Sequence, residues 1–210
     1  MKNRCQAESV QSFNQAIRWV QQDLVQRGQL EPNTPLRIFV LLRDPINTFL
    51  LLLRLKEWTV NAHVFFFIRI VISLLFRFYS LRLCYSIPPN VFGPGFAPIH
   101  YGPIVVNGET RVGENCRCHI GVNIGASGYL KTALIDEQTA PIIGKNCYIG
   151  PGAKIYGPIH LADGIAIGAN AVVNKSCSTG SVTLAGIPAT IISEKGSDGM
   201  IVGTSLKSNE

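Results

Sequence analysis

The sequence has no glycine-rich phosphate loop, no serine nucleophile elbow and no cysteine–histidine spacing suited to a metal. It therefore lacks the usual marks of nucleotide hydrolysis, serine hydrolysis and zinc chemistry. Its six cysteines (Cys5, Cys84, Cys116, Cys118, Cys147, Cys177) form no CxxC pair, so reduced thiols in a reducing compartment are expected. Residues 1–31 are polar and helical in pattern rather than an apolar leader, which points to a cytoplasmic protein. A membrane span needs roughly 20 predominantly apolar residues, and Arg69 and Arg77 interrupt the most apolar segment. Acidic residues are scarce where basic ones gather: over 35–90, Arg37, Arg43, Arg54, Lys56, Arg69, Arg77 and Arg82 face only Asp44 and Glu57. The plain reading of that excess is a solvated helix face, and the sharper one is contact with anionic lipid. No nucleic-acid partner is expected.

What is present is a period of six. Val106, Val112, Cys118 and Ile124 lie six apart, and Ile143, Ile149, Ile155, Leu161, Ile167 and Val173 resume the ladder. The fifth position is small or apolar (Cys116, Val122, Cys147, Ala153, Ala171, Cys177). Helices repeat at 3.6 and flat strands at two, whereas six with an apolar anchor marks a hexapeptide β-helix. The predicted fold is mainly β. An α-helical N-terminal region covers 1–85, a parallel β-helix covers 86–192, and a polar C-terminal tail covers 193–210 without packing. Nineteen residues separate Ile124 from Ile143, so the phase slips there. The polar segment 126–139 reads as a loop extruded from one corner, where insertion costs little closure entropy.

Before the repeats, 8–27 patterns as an amphipathic helix carrying Phe13, Ala16, Ile17, Val20 and Leu24 on one face and ending at Gly28. Two apolar segments follow, 36–55 (broken at Asp44-Pro45) and 58–83. Within 58–83, Arg69, Ser73, Arg77 and Ser80 form a narrow polar stripe on a Phe-rich helix. Two readings stay open: packing between subunits, or peripheral contact at the inner membrane face with Arg outward and Phe down.

Of four histidines, His63 is expected in a helix, and His119 and His160 in outward corners. Counting back in sixes puts His100 in an anchor slot, where an unbonded polar group costs a few kcal/mol. Either the phase slips and His100 faces a groove, or the first coil holds a structural histidine. In a groove it would be a natural base for an acceptor hydroxyl.

The runs Ile99-His100-Tyr101-Gly102-Pro103-Ile104-Val105-Val106, Val122-Asn123-Ile124-Gly125, Ile149-Gly150-Pro151-Gly152-Ala153, Ile167-Gly168-Ala169-Asn170-Ala171 and Ala185-Gly186-Ile187-Pro188-Ala189 resemble the serine acetyltransferase group of hexapeptide acyltransferases. They look closer still to the branch encoded with capsule and exopolysaccharide genes. That resemblance implies a left-handed β-helix, a homotrimer and acetyl-CoA as co-substrate, with no metal. It implies that His100 is the catalytic base and that CoA lies near Gly150, Gly152, Ala153, Ala169 and Gly186, with Lys154 or Lys175 meeting its phosphates. Three departures bear on the acceptor. Tyr85 and Ile99 stand where the group carries aspartates, and Thr139-Ala140 where it carries an Arg-His pair. A zwitterion then lacks its charged partners, so a surface-polysaccharide sugar, bound by Tyr85, Tyr101, Asn123 and Asp136, is the expected acceptor. Serine acetylation in cysteine biosynthesis and a non-catalytic scaffold are the alternatives.

Overall fold

The computed structural model describes residues 9–126 and 139–202. Helix α1 (Phe13–Gln26) begins where the Ser12 hydroxyl accepts the Gln15 N–H, and ends before Gly28, whose φ is +68°. Helix α2 (Ile38–Arg43) stops because Asp44 precedes a proline and is extended. The Asp44 carboxylate then accepts the Ile46 N–H at 2.9 Å and caps α3 (Pro45–Asn61). Helix α4 (Phe66–Leu83) ends at Cys84, left-handed at φ +60°. The predicted segment 58–83 is thus split: 58–61 closes α3, and a turn separates it from α4. His63 sits in that turn at φ +51°, exposed, rather than in a helix.

The strands are two to five residues long, as short repeats require. In chain order they are β1 (Tyr85–Ser86), β2 (Ala97–Pro98), β3 (Ile104–Val106), β4 (Arg111–Val112), β5 (Arg117–Cys118), β6 (Asn123–Gly125) and β7 (Ile142–Ile143). Then come β8 (Tyr148–Ile149), β9 (Lys154–Tyr156), β10 (His160–Leu161), β11 (Ala166–Ile167), β12 (Val172–Val173), β13 (Thr183–Gly186) and β14 (Ala189–Ser193). They build three sheets in the orders β1-β3-β6-β9-β12, β10-β7-β4 and β14-β13-β11-β8-β5-β2. From β3 to β12 the chain visits the three sheets in rotation, and every pairing is parallel except β13 with β14. All ten predicted anchors are buried, so the period of six reported the core correctly. The register crosses the break intact: Ile124 lies opposite Ile155, and Ile143 opposite both Val112 and Leu161. The predicted loop 126–139 falls between β6 and β7, and its residues 127–138 lie outside the described residues.

Two slots were misassigned by counting in sixes. Pro98, not His100, lies opposite Cys118, because the step from Pro98 to the next anchor, Val106, is two residues longer than a hexad. Cys177 lies opposite Leu161 and takes an anchor slot rather than a fifth position. The tail also differs from expectation as far as Val202. The Ser197 N–H donates to the Gly164 carbonyl at 2.9 Å, Ile201 is buried, and Gln26 exchanges two 3.1 Å hydrogen bonds with the Val202 backbone. Residues 193–202 are strapped from the β-helix back to α1, and Gly196 permits the approach because a Cβ there would lie 2.4 Å from the Gly164 oxygen.

The helices join the β-helix through Arg54, which is fully buried and not part of a solvated basic face. Its guanidinium donates to Asp23 (2.8 and 3.0 Å), to Glu57 (3.0 Å), and to the carbonyls of Phe92 (2.9 Å) and Gly93 (2.7 Å). That satisfies all five of its donors. Asp23 also accepts the Phe96 N–H at 2.8 Å.

Candidate active site

One corner of the β-helix, leading from the six-stranded to the five-stranded sheet, recurs at 99–103, 119–122, 150–153 and 168–171, and ends in the turn 186–188. Successive corners are bonded into a column: Gly121 N–H to Pro103 (2.7 Å), Gly152 N–H to Ile120 (2.9 Å) and Asn170 N–H to Pro151 (2.9 Å). His100 lies in the first of these corners. The phase slip frees it from the core, and its ring is exposed, with no hydrogen bond to either ring nitrogen among the described residues.

The loop carrying His100 is held from behind. The Tyr85 hydroxyl donates to the His100 carbonyl at 2.8 Å. The Gly102 N–H reaches the Leu83 carbonyl at 3.2 Å, and Gly102 has φ +120° with the Ile120 side chain occupying the space a Cβ would need. Arg27 Nε donates to the Pro98 carbonyl at 2.9 Å, while the same guanidinium meets Asp44 at 2.9 Å and bonds Asn47. The Tyr101 hydroxyl donates to Asp44 at 3.2 Å.

Asp44 is the residue the sequence pattern missed. It reads there as a helix breaker, and its place beside Tyr101 is a contact across 57 residues. Burial raises its carboxyl, but the Ile46 N–H and then Arg27 outweigh that, holding it below the usual carboxylate range. A partly exposed carboxylate therefore stands ionised next to the His100 loop. His119, one coil on, packs its ring 5.7 Å from that of His100 and 5.2 Å from Tyr148. Its Nε2 is buried without a hydrogen-bond partner. Desolvation, then the neighbouring Arg117 and His100, push its pKa below the ordinary value.

The other predicted residues divide. Tyr85 is buried, in edge contact with Phe49 at 5.1 Å, and burial raises its phenol. It supports the His100 backbone instead of lining a groove for an acceptor. Tyr101 is exposed beside Asp44. Asn123, half-buried on β6, pairs with Val105 and Lys154 next to the column. Asp136 lies outside the described residues. Gly150, Gly152, Ala153, Ala169 and Gly186 all fall on the same column as His100; the Ala153 methyl is fully buried, so only its backbone can face a ligand. Lys175 does not join them: it follows β12, at the corner that carries the 126–139 insertion. Nor is Lys154 a free cation, since its Nζ donates to the Gly121 and Gly152 carbonyls, both at 2.7 Å, and staples the column.

Comparison with known proteins agrees with this architecture. Residues 140–175 match the family described as bacterial transferase hexapeptide (six repeats). A serine acetyltransferase of Helicobacter pylori is 30% identical over 131 residues, covering 62% of this chain and 72% of that one. A serine acetyltransferase of Staphylococcus aureus is 38% identical over 106 residues, 50% of this chain and 46% of its relative. The crystal structure of serine acetyltransferase from Brucella abortus superposes with a TM-score of 0.61 at 27% identity, over 88% of this chain and 70% of that one.

Proposed function

The chain belongs to the serine acetyltransferase family of hexapeptide-repeat acyltransferases, and on that premise we propose that it moves an acetyl group from acetyl-CoA to the hydroxyl of serine, with His100 as general base. The observation that carries the acceptor is the likeness to serine acetyltransferases, that of Helicobacter pylori being 30% identical over 72% of its length. Asp44 is ionised and reaches Tyr101 on the His100 loop, but its charge is already met by Arg27 at 2.9 Å, so it braces that loop and is no counter-charge for an ammonium group. The sequence pattern favoured a sugar because Tyr85, Ile99, Thr139 and Ala140 offer no charge. The names of the relatives support serine instead, and a neutral sugar is kept as the competing substrate in the test.

In the reaction, His100 takes the proton of the acceptor hydroxyl as its oxygen attacks the thioester carbonyl. The carbon–sulfur bond breaks, the CoA thiolate leaves, and the proton held on the imidazole returns to sulfur. The corner column suits a long thin donor: Ala169 and Gly186 are exposed and nearly without side chains. We read the β-helix as left-handed and the active species as a trimer. The corner of Lys175 is a different one from that carrying His100, so within one chain it stands apart from the base, and a neighbouring copy can present it.

The test compares kcat/KM for serine and for capsule-type sugars. A serine value near 10⁴ M⁻¹s⁻¹ or above, the lower edge of ordinary enzyme efficiency, supports the proposal. A sugar preference overturns the acceptor while leaving the transferase reading intact. Asp44→Asn is expected to lower kcat for either acceptor, because it loosens the Arg27 and Tyr101 contacts that brace the His100 loop.

A further inference from the structure

We propose that α4 is a membrane-surface helix whose outward apolar face seats in an anionic bilayer. Ordinary helices turn one apolar side inward and a polar side outward; α4 turns Ile72, Phe76, Tyr79 and Leu83 inward and carries a second apolar face outward. Of its residues only Ile72 and Leu83 are buried, while Phe67, Leu74, Phe78 and Leu81 are each more than half exposed, Leu81 at 68%. With successive residues about 100° apart, Phe67, Ile70, Leu74, Phe78 and Leu81 share one narrow sector opposite Ile72 and Leu83. Arg77 and Arg82 border that sector on either side.

A second feature lies at its edge. Phe66, Arg69, Ile70, Ser73 and Leu74 line an open groove of about 490 Å³. Lys56 reaches across to donate to the Ser73 hydroxyl at 2.5 Å. Burial, then Arg69, lower the pKa of the Lys56 ammonium. Neither cation meets a carboxylate among the described residues. An apolar groove with two uncompensated cations at its rim fits an acyl chain below a phosphate.

Charge separates a bilayer from a second copy of the chain. The α4 sequence contains Arg69, Arg77 and Arg82 and no acidic residue. Across a two-fold axis the same patch meets itself and the arginines crowd without a counter-charge, and around the three-fold axis of the proposed trimer it would meet another surface of a chain whose formal net charge is +6. Anionic headgroups supply that charge over the whole face. The helix would lie in the interface, since no helix among the described residues is long and apolar enough to cross a membrane. Because α4 leads through Cys84 into β1, and its Leu83 carbonyl accepts from Gly102, the His100 corner would open close to the bilayer. This inference holds whichever acceptor the enzyme uses.

The experiment is flotation of the full chain with vesicles of phosphatidylcholine alone or mixed with phosphatidylglycerol, at low and physiological salt. The expected result is binding to the anionic vesicles that salt weakens. Leu74→Glu with Phe78→Glu should abolish it, and Arg69→Gln with Arg77→Gln should reduce it about tenfold or more, with circular dichroism unchanged. If the glutamate pair does not fold, the arginine pair decides alone. No binding to anionic vesicles, or binding indifferent to the arginine pair, overturns the proposal. So does a higher assembly in sedimentation equilibrium that the glutamate pair splits while vesicle binding is absent.

Discussion

Tyr85 and His100 are fifteen residues apart and joined by one 2.8 Å hydrogen bond from the phenol to the histidine carbonyl. The phenol orients the main chain of the base rather than its ring. His100→Ala should therefore keep the fold and CoA binding but lose ~10²–10⁴ in kcat, as removal of a general base does, measured by thiol release. Tyr85→Phe keeps the ring against Phe49 and loses only the hydroxyl. It should cost about 1 kcal/mol of stability and lower kcat without changing the Kd for CoA. His119 makes a separate prediction for pH. Its folded pKa is depressed, chiefly by desolvation, so below about 6.5 the unfolded chain takes up a proton that the folded one resists. Stability should fall as pH drops from 7.5 to 5.5, and His119→Gln should flatten that slope in thermal melts.

At the scale of elements, the joint between the helices and the first coil rests on Arg54. Its partners Asp23, Phe92 and Gly93 lie 31 to 39 residues away, so no local pattern separates it from the exposed Arg69 or Arg77. Removing it would leave Asp23 and Glu57 buried without their counter-charge. Arg54→Ala should cost about 3–5 kcal/mol in urea denaturation, while Arg77→Ala, on the exposed face, should move the midpoint little. The corner column was legible for a different reason. Its glycines and small residues recur at the hexad spacing, and the tight approach of successive coils demands them: a Cβ at Gly150 would lie 2.6 Å from the Ile167 oxygen.

For the whole molecule the open quantity is the number of chains that complete a site. A trimer of the 22.9 kDa chain would bring the Lys175 corner of one copy toward the His100 corner of the next. Sedimentation equilibrium at micromolar concentration should give about three times the chain mass, and a monomer would sink the shared-site reading. The membrane face on α4 predicts in addition that this assembly partitions onto anionic vesicles with its helices toward the lipid.

Periodic burial is a local code, which is why the sequence alone determined the β-helix, its ten anchors, the place where the phase slips and the presence of α1, which starts at Phe13 rather than at residue 8. Each anchor needs only an apolar side chain at the right count from the last. The length of a corner is not periodic, so the two extra residues that lift His100 out of the core became visible only in the register of Pro98 with Cys118. Contacts between distant segments carry no period at all. The tertiary structure alone brought Asp44 to Tyr101, moved Tyr85 behind the base, placed Lys175 on another corner and folded 193–202 back toward Gln26. For Asp44, Tyr85 and the tail what decided was a hydrogen bond between segments 57, 15 and 176 residues apart, where a polar group found the partner that its burial requires; for Lys175 it was the order of the strands.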